Sequence, residues 1–163
     1  MPSPDPYPTG GDTAAGVLVI IAVYAVVIGV ILLINYVLMA VALMLFFRRV
    51  GVAPGLAWVP VYRYWKWLEV GGQNGAFSLL MLVPYGGIVT LVFLAIGMHR
   101  TGIAFRKDTG WLVLGIVLPW LWCILISSSD SVYDPSLITA AGYPPPRAGF
   151  GAVPRTPQPV AAS

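Results

Sequence analysis

The most extended feature of this sequence is an apolar run from residue 14 to residue 47 that contains no charged side chain. Asn35 is its one strongly polar residue, and Arg48 and Arg49 end it. A stretch of 18 or more apolar residues is typical of a transmembrane helix, because about 20 helical residues cross the ~30 Å hydrocarbon core. The pattern therefore predicts an integral membrane protein whose first membrane helix covers about residues 16–47.

This first helix is longer than one upright crossing requires. The 34 residues of the run rise about 50 Å as a helix. Either the helix extends beyond the bilayer at its N-terminal end, or it bends near Gly29 or Asn35. A cleaved signal peptide is not expected, because residues 1–13 contain no Lys or Arg.

Asn35 is the most informative single side chain, since an amide in lipid needs a hydrogen-bond partner. Three interpretations remain open. The amide packs against another helix of the same chain, or it lies in a self-associating helix with Ala25 and Gly29 as a pair of small residues. In the third interpretation, it lines a polar permeation path.

Residues 58–67 combine aromatic and basic side chains in a short segment. Helical spacing from 60 to 70 places Val61, Trp65 and Leu68 on one face, and it places Arg63 and Lys66 on the other. This predicts an amphipathic helix that lies in the membrane interface, where Trp and Tyr are favoured. The candidate lipid-contact residues, as an anchor or as a site for a quaternary ammonium headgroup, are Trp58, Tyr62, Arg63, Tyr64, Trp65, Lys66 and Trp67.

The apolar stretch 75–98 is interrupted by Pro84 and allows two topologies. In one, it is a single proline-kinked crossing, which separates the basic residues onto two sides of the membrane. In the other, residues 75–83 and 88–105 form a helical hairpin, which places seven basic residues on the cytoplasmic side and both tails outside, as the positive-inside rule favours. A last membrane helix is predicted over 110–127, so the expected fold is all-α with three to four membrane helices.

Three segments of the chain share the pattern of a glycine, eight mostly apolar residues and a proline: Gly51 to Pro60, Gly75 to Pro84 and Gly110 to Pro119. The pattern favours short helical arms broken by proline. Chance is a serious competing explanation, because Gly and Pro are common in membrane segments. The candidate helix breaks are Pro60, Pro84, Gly86, Gly87 and Pro119.

Both ends of the chain are rich in proline. Such composition buries too little apolar surface to offset the entropy of ordering. The predicted organisation is a disordered N-terminal tail over 1–13, a membrane domain over 14–130 and a disordered C-terminal tail over 131–163.

Composition agrees with a membrane protein and argues against catalysis. Charged residues make up 9% of the chain, against roughly 25% in soluble domains. One His and one Cys are no metal-ligand set. The two lysines, Lys66 and Lys107, have no extramembrane domain that pairs them with a serine nucleophile. Neither an enzymatic site, a cofactor nor a metal is therefore expected.

The stretch from Phe46 to about Tyr133 resembles a family of uncharacterised small bacterial membrane proteins, a domain of unknown function of which some look-alikes are labelled signal peptidases. The resemblance rests on Gly51 to Gly55, Trp58 to Tyr62, Gly71 to Gly75, Val83-Pro84, Gly102 to Phe105 and Leu118-Pro119 through Asp130. It implies a topology class and no chemistry. Where members carry Gly-Lys-Ser before the last helix, this chain reads Arg106-Lys107-Asp108-Thr109-Gly110, so no role of that serine transfers.

The resulting hypothesis is a multi-pass protein of the cell membrane without enzymatic activity. Its expected partners are the lipid bilayer and other membrane proteins, or a second copy through the first helix, and no nucleic acid. The alternative is an oligomeric small transporter or channel subunit, based on the broken segments at Pro84 and Pro119 together with Asn35.

Overall fold

A computed structural model describes residues 10–128 and 132–151, with side chains from Thr13 onward. Within these ranges the chain is helical and contains no β-strand. The elements in chain order, with η for 3₁₀ helices, are α1 Gly10–Val50, η1 Pro54–Trp58, α2 Pro60–Val70, η2 Gly75–Leu82, α3 Gly86–Ala104, α4 Gly110–Val117, α5 Pro119–Ser128 and α6 Ser136–Ala140.

The chain divides into two units, Met1–Leu38 and Met39–Ser163. The described part of the first unit is the N-terminal portion of α1, and every side chain from Thr13 to Asn35 is exposed. The helix begins at Gly10 and continues through Gly29 and Asn35. Residues 10–13 are therefore helical rather than part of a tail, and residues 1–9 lie outside the described residues.

Two helices are long and apolar enough to cross a membrane, Thr13–Val50 and Gly86–Ala104. The expected three to four spans are not confirmed by helix length. The remaining apolar segments form short helices of 5 to 11 residues, and 11 residues of α-helix rise only about 17 Å.

The prolines explain why these helices are short. Each of the three glycine-to-proline segments contains one short helix, η1, η2 or α4, that ends two residues before its proline. The residue before each proline is non-helical: Val59 and Val83 are extended, and Leu118 has φ −134° and ψ 72°. The proline ring disfavours the helical conformation of the residue before it, so each pattern ends one helix and starts another.

The segment from 75 to 105 is a reversal and not a kinked crossing. Phe77 stacks on Phe93 with ring centroids 4.2 Å apart, and the Thr90 hydroxyl donates a hydrogen bond to the Phe77 carbonyl (3.0 Å). The chain turns at Tyr85, whose φ is +64°. Thus η2 runs antiparallel to α3, as in the hairpin alternative, although η2 has only 8 residues.

The predicted single helix over 110–127 is wrong, because α5 folds back sharply on α4. A Cβ placed on Gly115 would lie 3.3 Å from Cγ of Trp122, whereas seven residues along a straight helix rise about 10.5 Å. Pro119 has no N–H to continue the hydrogen-bond ladder, and Leu118 supplies the bend. A hydropathy profile does not register this bend, so it predicts α4 and α5 as one apolar segment.

The core of the second unit is aromatic. The side chains of Phe46 on α1, Trp67 on α2 and Trp122 on α5 are buried. Their ring centroids lie 5.7 to 6.3 Å apart, within the range of favourable aromatic pairs. The last turns of α1 thus join the short helices in one core.

Residues 132–151 pack against the helices of the second unit, to which they belong, in contrast to the expected disordered tail. The backbone N–H groups of Asp134, Arg147 and Gly151 donate to the carbonyls of Ala104 (3.0 Å), Glu69 (2.8 Å) and Val50 (3.0 Å). These carbonyls end α3, α2 and α1, where helices leave acceptors unpaired. The segment therefore lies at the end of the unit where these helices finish, with residues 152–163 outside the described residues.

Replacing Gly71 with alanine tests the contact between α2 and α3. The added Cβ would lie 2.4 Å from the Gly97 Cα, and overpacking of this kind costs about 1–3 kcal/mol. We expect a lower melting temperature for Gly71→Ala in detergent, followed by tryptophan fluorescence. Gly55→Ala is the matched control, since its Cβ meets no atom within 4 Å. Equal melting of both variants would contradict the close approach.

Candidate functional site

The Gly71-to-Gly75 turn that carried part of the family resemblance has a structural explanation. Gly71 allows the close approach to α3, and Gly72 has φ +74°, a conformation that favours glycine. The Gln73 amide donates to the Phe93 carbonyl (3.3 Å), and the Asn74 side chain accepts from the Ala76 N–H (3.1 Å). A Cβ on Gly75 would collide with the Trp65 ring. The motif fixes a turn and presents no catalytic group.

The candidate interfacial helix has the predicted bounds, Pro60–Val70, but its buried face differs from the prediction. Arg63, Trp67, Leu68 and Val70 are buried. Val61 and Trp65 are only partly buried. The expectation that Arg63 points toward headgroups is therefore not met in the structure, because the face that carries Trp67 packs into the aromatic core.

The charged groups of α2 make contacts with neighbouring residues of the same helix. The Lys66 Nζ lies 2.7 Å from Oε2 of Glu69, and this hydrogen bond raises the pKa of Lys66. The Trp65 indole N–H donates to Oε1 of the same carboxylate (2.8 Å). The Arg63 guanidinium donates to the Tyr64 hydroxyl (3.1 Å) and stacks 4.8 Å from the centroid of the Tyr64 ring. With these contacts in place, α2 presents no open cage of aromatic rings for a quaternary ammonium headgroup.

The other candidate lipid-contact residues lie at the surface of α2 or just before it. Trp58 and Tyr62 are exposed, at 43% and 40%, and Tyr64 is half-buried. Tyr62 stacks on Trp65 with centroids 6.5 Å apart. These aromatic side chains remain candidates for contact with lipid, whereas Trp67 belongs to the core at 1% exposure.

The candidate helix breaks and the candidate helix-packing residues lie in different parts of the structure. Pro60 and Pro119 each begin a helix. A Cβ on Gly86 would meet the Leu80 carbonyl, so Gly86 allows the tight turn after Pro84, whereas Gly87 has open space. Asn35, Ala25 and Gly29 lie on the exposed part of α1.

Basic side chains gather where the helices finish. Arg48 and Arg49 end α1, and the Arg100 guanidinium near the end of α3 donates to the Gly71 carbonyl (3.3 Å). Arg100 also stacks over Tyr143 of the C-terminal segment, 5.2 Å from the ring centroid. Lys107 lies 4.8 Å from the Trp111 ring centroid. Cations at helix C-termini interact favourably with the helix dipole.

A cleft lies at this basic end. It encloses about 380 Å³ and is lined by Leu45, Arg48 and Arg49 of α1 and by Ile124, Ser127 and Ser128 of α5. The lining residues of α1 and those of α5 lie about 80 positions apart in the sequence. The sequence pattern identified Arg48 and Arg49 as the end of the apolar run but gave no signal for α5 as their neighbour.

The described residues contain no group of three or more His, Cys, Asp or Glu side chains in position to hold a metal ion. The one cysteine, Cys123, is buried in α5. Its thiol belongs to the core and is closed to solvent.

Part of the chain matches a protein family. Residues 56–135, just under half of the chain, match a family of unknown function, DUF5684. This range begins inside η1 and ends before α6. No curated protein and no solved structure matches the chain. The match supports the resemblance to an uncharacterised family, and it covers the helices from α2 to α5.

Proposed function

We propose that this chain is a multi-pass protein of the cell membrane that has no enzymatic activity and acts by association with lipids or other membrane proteins. One observation carries the proposal, the exposure of α1. From Val17 to Ile34 the large apolar side chains are 49% to 66% exposed. Soluble monomers rarely expose contiguous apolar patches beyond a few hundred Å². A bilayer accounts for this surface without a protein partner.

The second apolar helix supports more than one crossing. The exposed residues of α3 include Ile88, Leu91 and Val92, at 64%, 63% and 55%. The opposite side of the helix packs on η2 and α2. An apolar face toward lipid and a packed face toward protein is the arrangement expected of a membrane helix within a bundle.

The basic residues at the helix ends favour one orientation in the membrane. Arg48 and Arg49 end α1, and the loop after α3 carries Arg106 and Lys107. Loops rich in Lys and Arg favour the cytoplasmic side. Because Asp134 bonds to Ala104 at the same end, we infer that the C-terminal segment is cytoplasmic as well.

The transporter or channel alternative has less support. Neither α1 from Thr13 to Phe47 nor α3 from Gly86 to Met98 contains a charged side chain. Ion-coupled transport usually uses ionisable residues within the membrane. Association therefore remains the better proposal.

Asn35 favours one form of association, which is self-association through α1. Asn35 is exposed on α1, and a lipid-facing amide gains from a hydrogen bond with an amide on another helix. An identical Asn35 in a second copy is self-complementary, because each amide has donors and an acceptor. Ala25 and Gly29 on the same exposed helix form a pair of small residues four positions apart, which allows two helices to approach closely.

Epitope tags test the orientation. We expect a tag at Lys107 and a tag at the C-terminus to be protected together in intact cells, and to be cleaved together after the membrane is opened. The protein should also remain in the membrane fraction after carbonate extraction and require detergent for release. Tags on opposite sides would contradict the packing of residues 132–151 beside the α3 end.

Replacing Asn35 with leucine tests self-association. Interhelical polar contacts in membranes average about 0.6 kcal/mol and reach ~1.7 kcal/mol, so dimer dissociation should become about 3-fold to 20-fold easier. Förster transfer between labelled copies in detergent, diluted in steps, measures this change. Ile34→Leu is the control, because Ile34 is exposed at the adjacent position and has no amide. An unchanged dimer fraction for Asn35→Leu would exclude the amide pair.

A further inference from the structure

The reversal between η2 and α3 is a hairpin, and residues 82–85 form its tip. Both arms of the hairpin connect to the basic end of the unit. The Arg100 guanidinium on α3 donates to the Gly71 carbonyl, which precedes η2 (3.3 Å), and the loop after α3 carries Arg106 and Lys107. The tip lies at the other end of the two arms, away from these cations.

The hairpin has the length and the composition to cross the hydrocarbon core. The 19 residues of α3 rise about 28 Å as an α-helix, close to the ~30 Å thickness of the core. Residues 71–98, which include η2, the tip and most of α3, contain no charged side chain. With the cations after α3 at one headgroup level, the tip lies near the headgroups of the opposite leaflet.

The backbone at the tip favours the membrane interface over the middle of the bilayer. Helix α3 begins at the tip, and no side chain of the described residues caps its start. The N–H groups of Gly86 and Ile88 donate to the carbonyls of Val83 (3.0 Å) and Tyr85 (3.1 Å). The first four N–H groups of an α-helix have no partner inside the helix, so the others of this turn need oxygen atoms of water or headgroups. In the middle of the bilayer, unpaired N–H groups would be costly.

Tyr85 combines backbone strain with exposure. Its φ of +64° lies in the left-handed region, which is costly for a bulky side chain. The side chain gains little from contacts within the chain, because 87% of the residue is exposed. Its ring has an apolar body and a polar hydroxyl, the combination that is favoured where hydrocarbon meets headgroups. Contact with that layer of the membrane would offset the strain of the turn.

We propose that Tyr85 anchors the hairpin at the membrane interface opposite the basic end. Its partner is the layer of lipid headgroups and glycerol of that leaflet, with the ring among the lipid and the hydroxyl toward water. Leu82, Val83 and Ile88, which are exposed beside Tyr85, contact the acyl chains of the same leaflet. The inference rests on the proposed membrane function and assigns a partner to the tip of the hairpin.

Cysteine labelling from the two sides of the membrane tests the position of the tip in the full chain. Val83→Cys, at an exposed position beside Tyr85, should react with a membrane-impermeant maleimide in intact cells. Asp108→Cys, in the exposed loop after α3, should react only after the membrane is opened. Val92→Cys, at an exposed position within α3, should react in neither case. The wild-type chain is the blank, because its one cysteine, Cys123, is buried.

The two other outcomes for Val83→Cys overturn the anchor. Failure to react in either preparation would place the tip inside the bilayer. Reaction only after the membrane is opened would place the tip on the same side as Asp108.

Substitutions of Tyr85 in the Val83→Cys chain separate the role of the ring from the length of α3. Tyr85→Gly keeps the turn, since glycine adopts positive φ readily, and Tyr85→Leu keeps an apolar side chain without a hydroxyl. Both should slow labelling in intact cells, whereas Tyr85→Trp should keep the wild-type rate, because Trp also favours the interface. For Tyr85→Gly, relief of strain and greater freedom of the unfolded chain oppose each other, so its melting temperature in detergent should stay within about 4 °C of wild type. Equal labelling rates for all three variants would show that the length of α3 alone sets the position and would overturn the role of Tyr85.

Purified chain in phosphatidylcholine vesicles, at a low ratio of protein to lipid, separates lipid from a protein partner. A fluorophore on Val83→Cys should be quenched more strongly by a nitroxide at the lipid headgroup than by one at the middle of the acyl chain. On Val92→Cys the order should be reversed. The deep order at both positions overturns the anchor. Protection of Val83→Cys from the maleimide in cells, together with the shallow order in vesicles, would show that a protein covers the tip and would overturn the lipid assignment.

Carbonate extraction separates failure of the anchor from failure of the membrane proposal. A wild-type chain that stays in the membrane fraction while the tip is inaccessible overturns the anchor alone. Extraction of the wild-type chain by carbonate overturns the membrane proposal.

Discussion

The need to pair backbone groups at interrupted helix ends governs the second unit of this protein. In an apolar environment an unpaired N–H or C=O costs several kcal/mol. The chain nevertheless interrupts its helices before Pro60, Pro84 and Pro119. Each interruption creates helix ends that need partners, and local hydrogen bonds supply some of them: the N–H groups of Val59, Val83 and Leu118 donate to the carbonyls of Leu56, Leu80 and Leu114. The helices on the two sides of each break also pack on one another. The pairs η1 with α2, η2 with α3 and α4 with α5 are all in contact.

The C-terminal segment completes this pairing where packing cannot. Its N–H groups reach carbonyls in the last turns of α1, α2 and α3. Tyr133 and Ile138 are buried beside them, so the segment combines hydrogen bonds with a small apolar contribution. Composition predicted disorder because it measures the apolar surface that a segment can bury by itself. It does not measure the carbonyls that neighbouring helices leave for the segment to pair.

The sequence predicted local features better than their tertiary roles. The bounds of α2 followed from Pro60 and from the glycines after Val70, and the end of α1 followed from Arg48 and Arg49. The role of α2 did not follow. A stripe of apolar residues at helical spacing is the same for a helix that lies on lipid and for one that lies on protein, and Arg63 lies on the buried side. Whether an arginine is buried depends on neighbours such as Tyr64, and the helical spacing of apolar residues carries no information about them.

The candidate cleft could likewise be predicted only in part from the sequence. Arg48 and Arg49 were visible as the end of an uncharged run, but a site needs two walls, and the second wall comes from α5. That wall exists because Leu118 bends the chain before Pro119 and returns Ser127 and Ser128 to the level of the arginines. In a continuous helix from 110 to 128, Ser128 would lie about 27 Å beyond the start of α4. The proline that prevents a third helix long enough to cross a membrane is thus the residue that places a polar helix end beside Arg48 and Arg49.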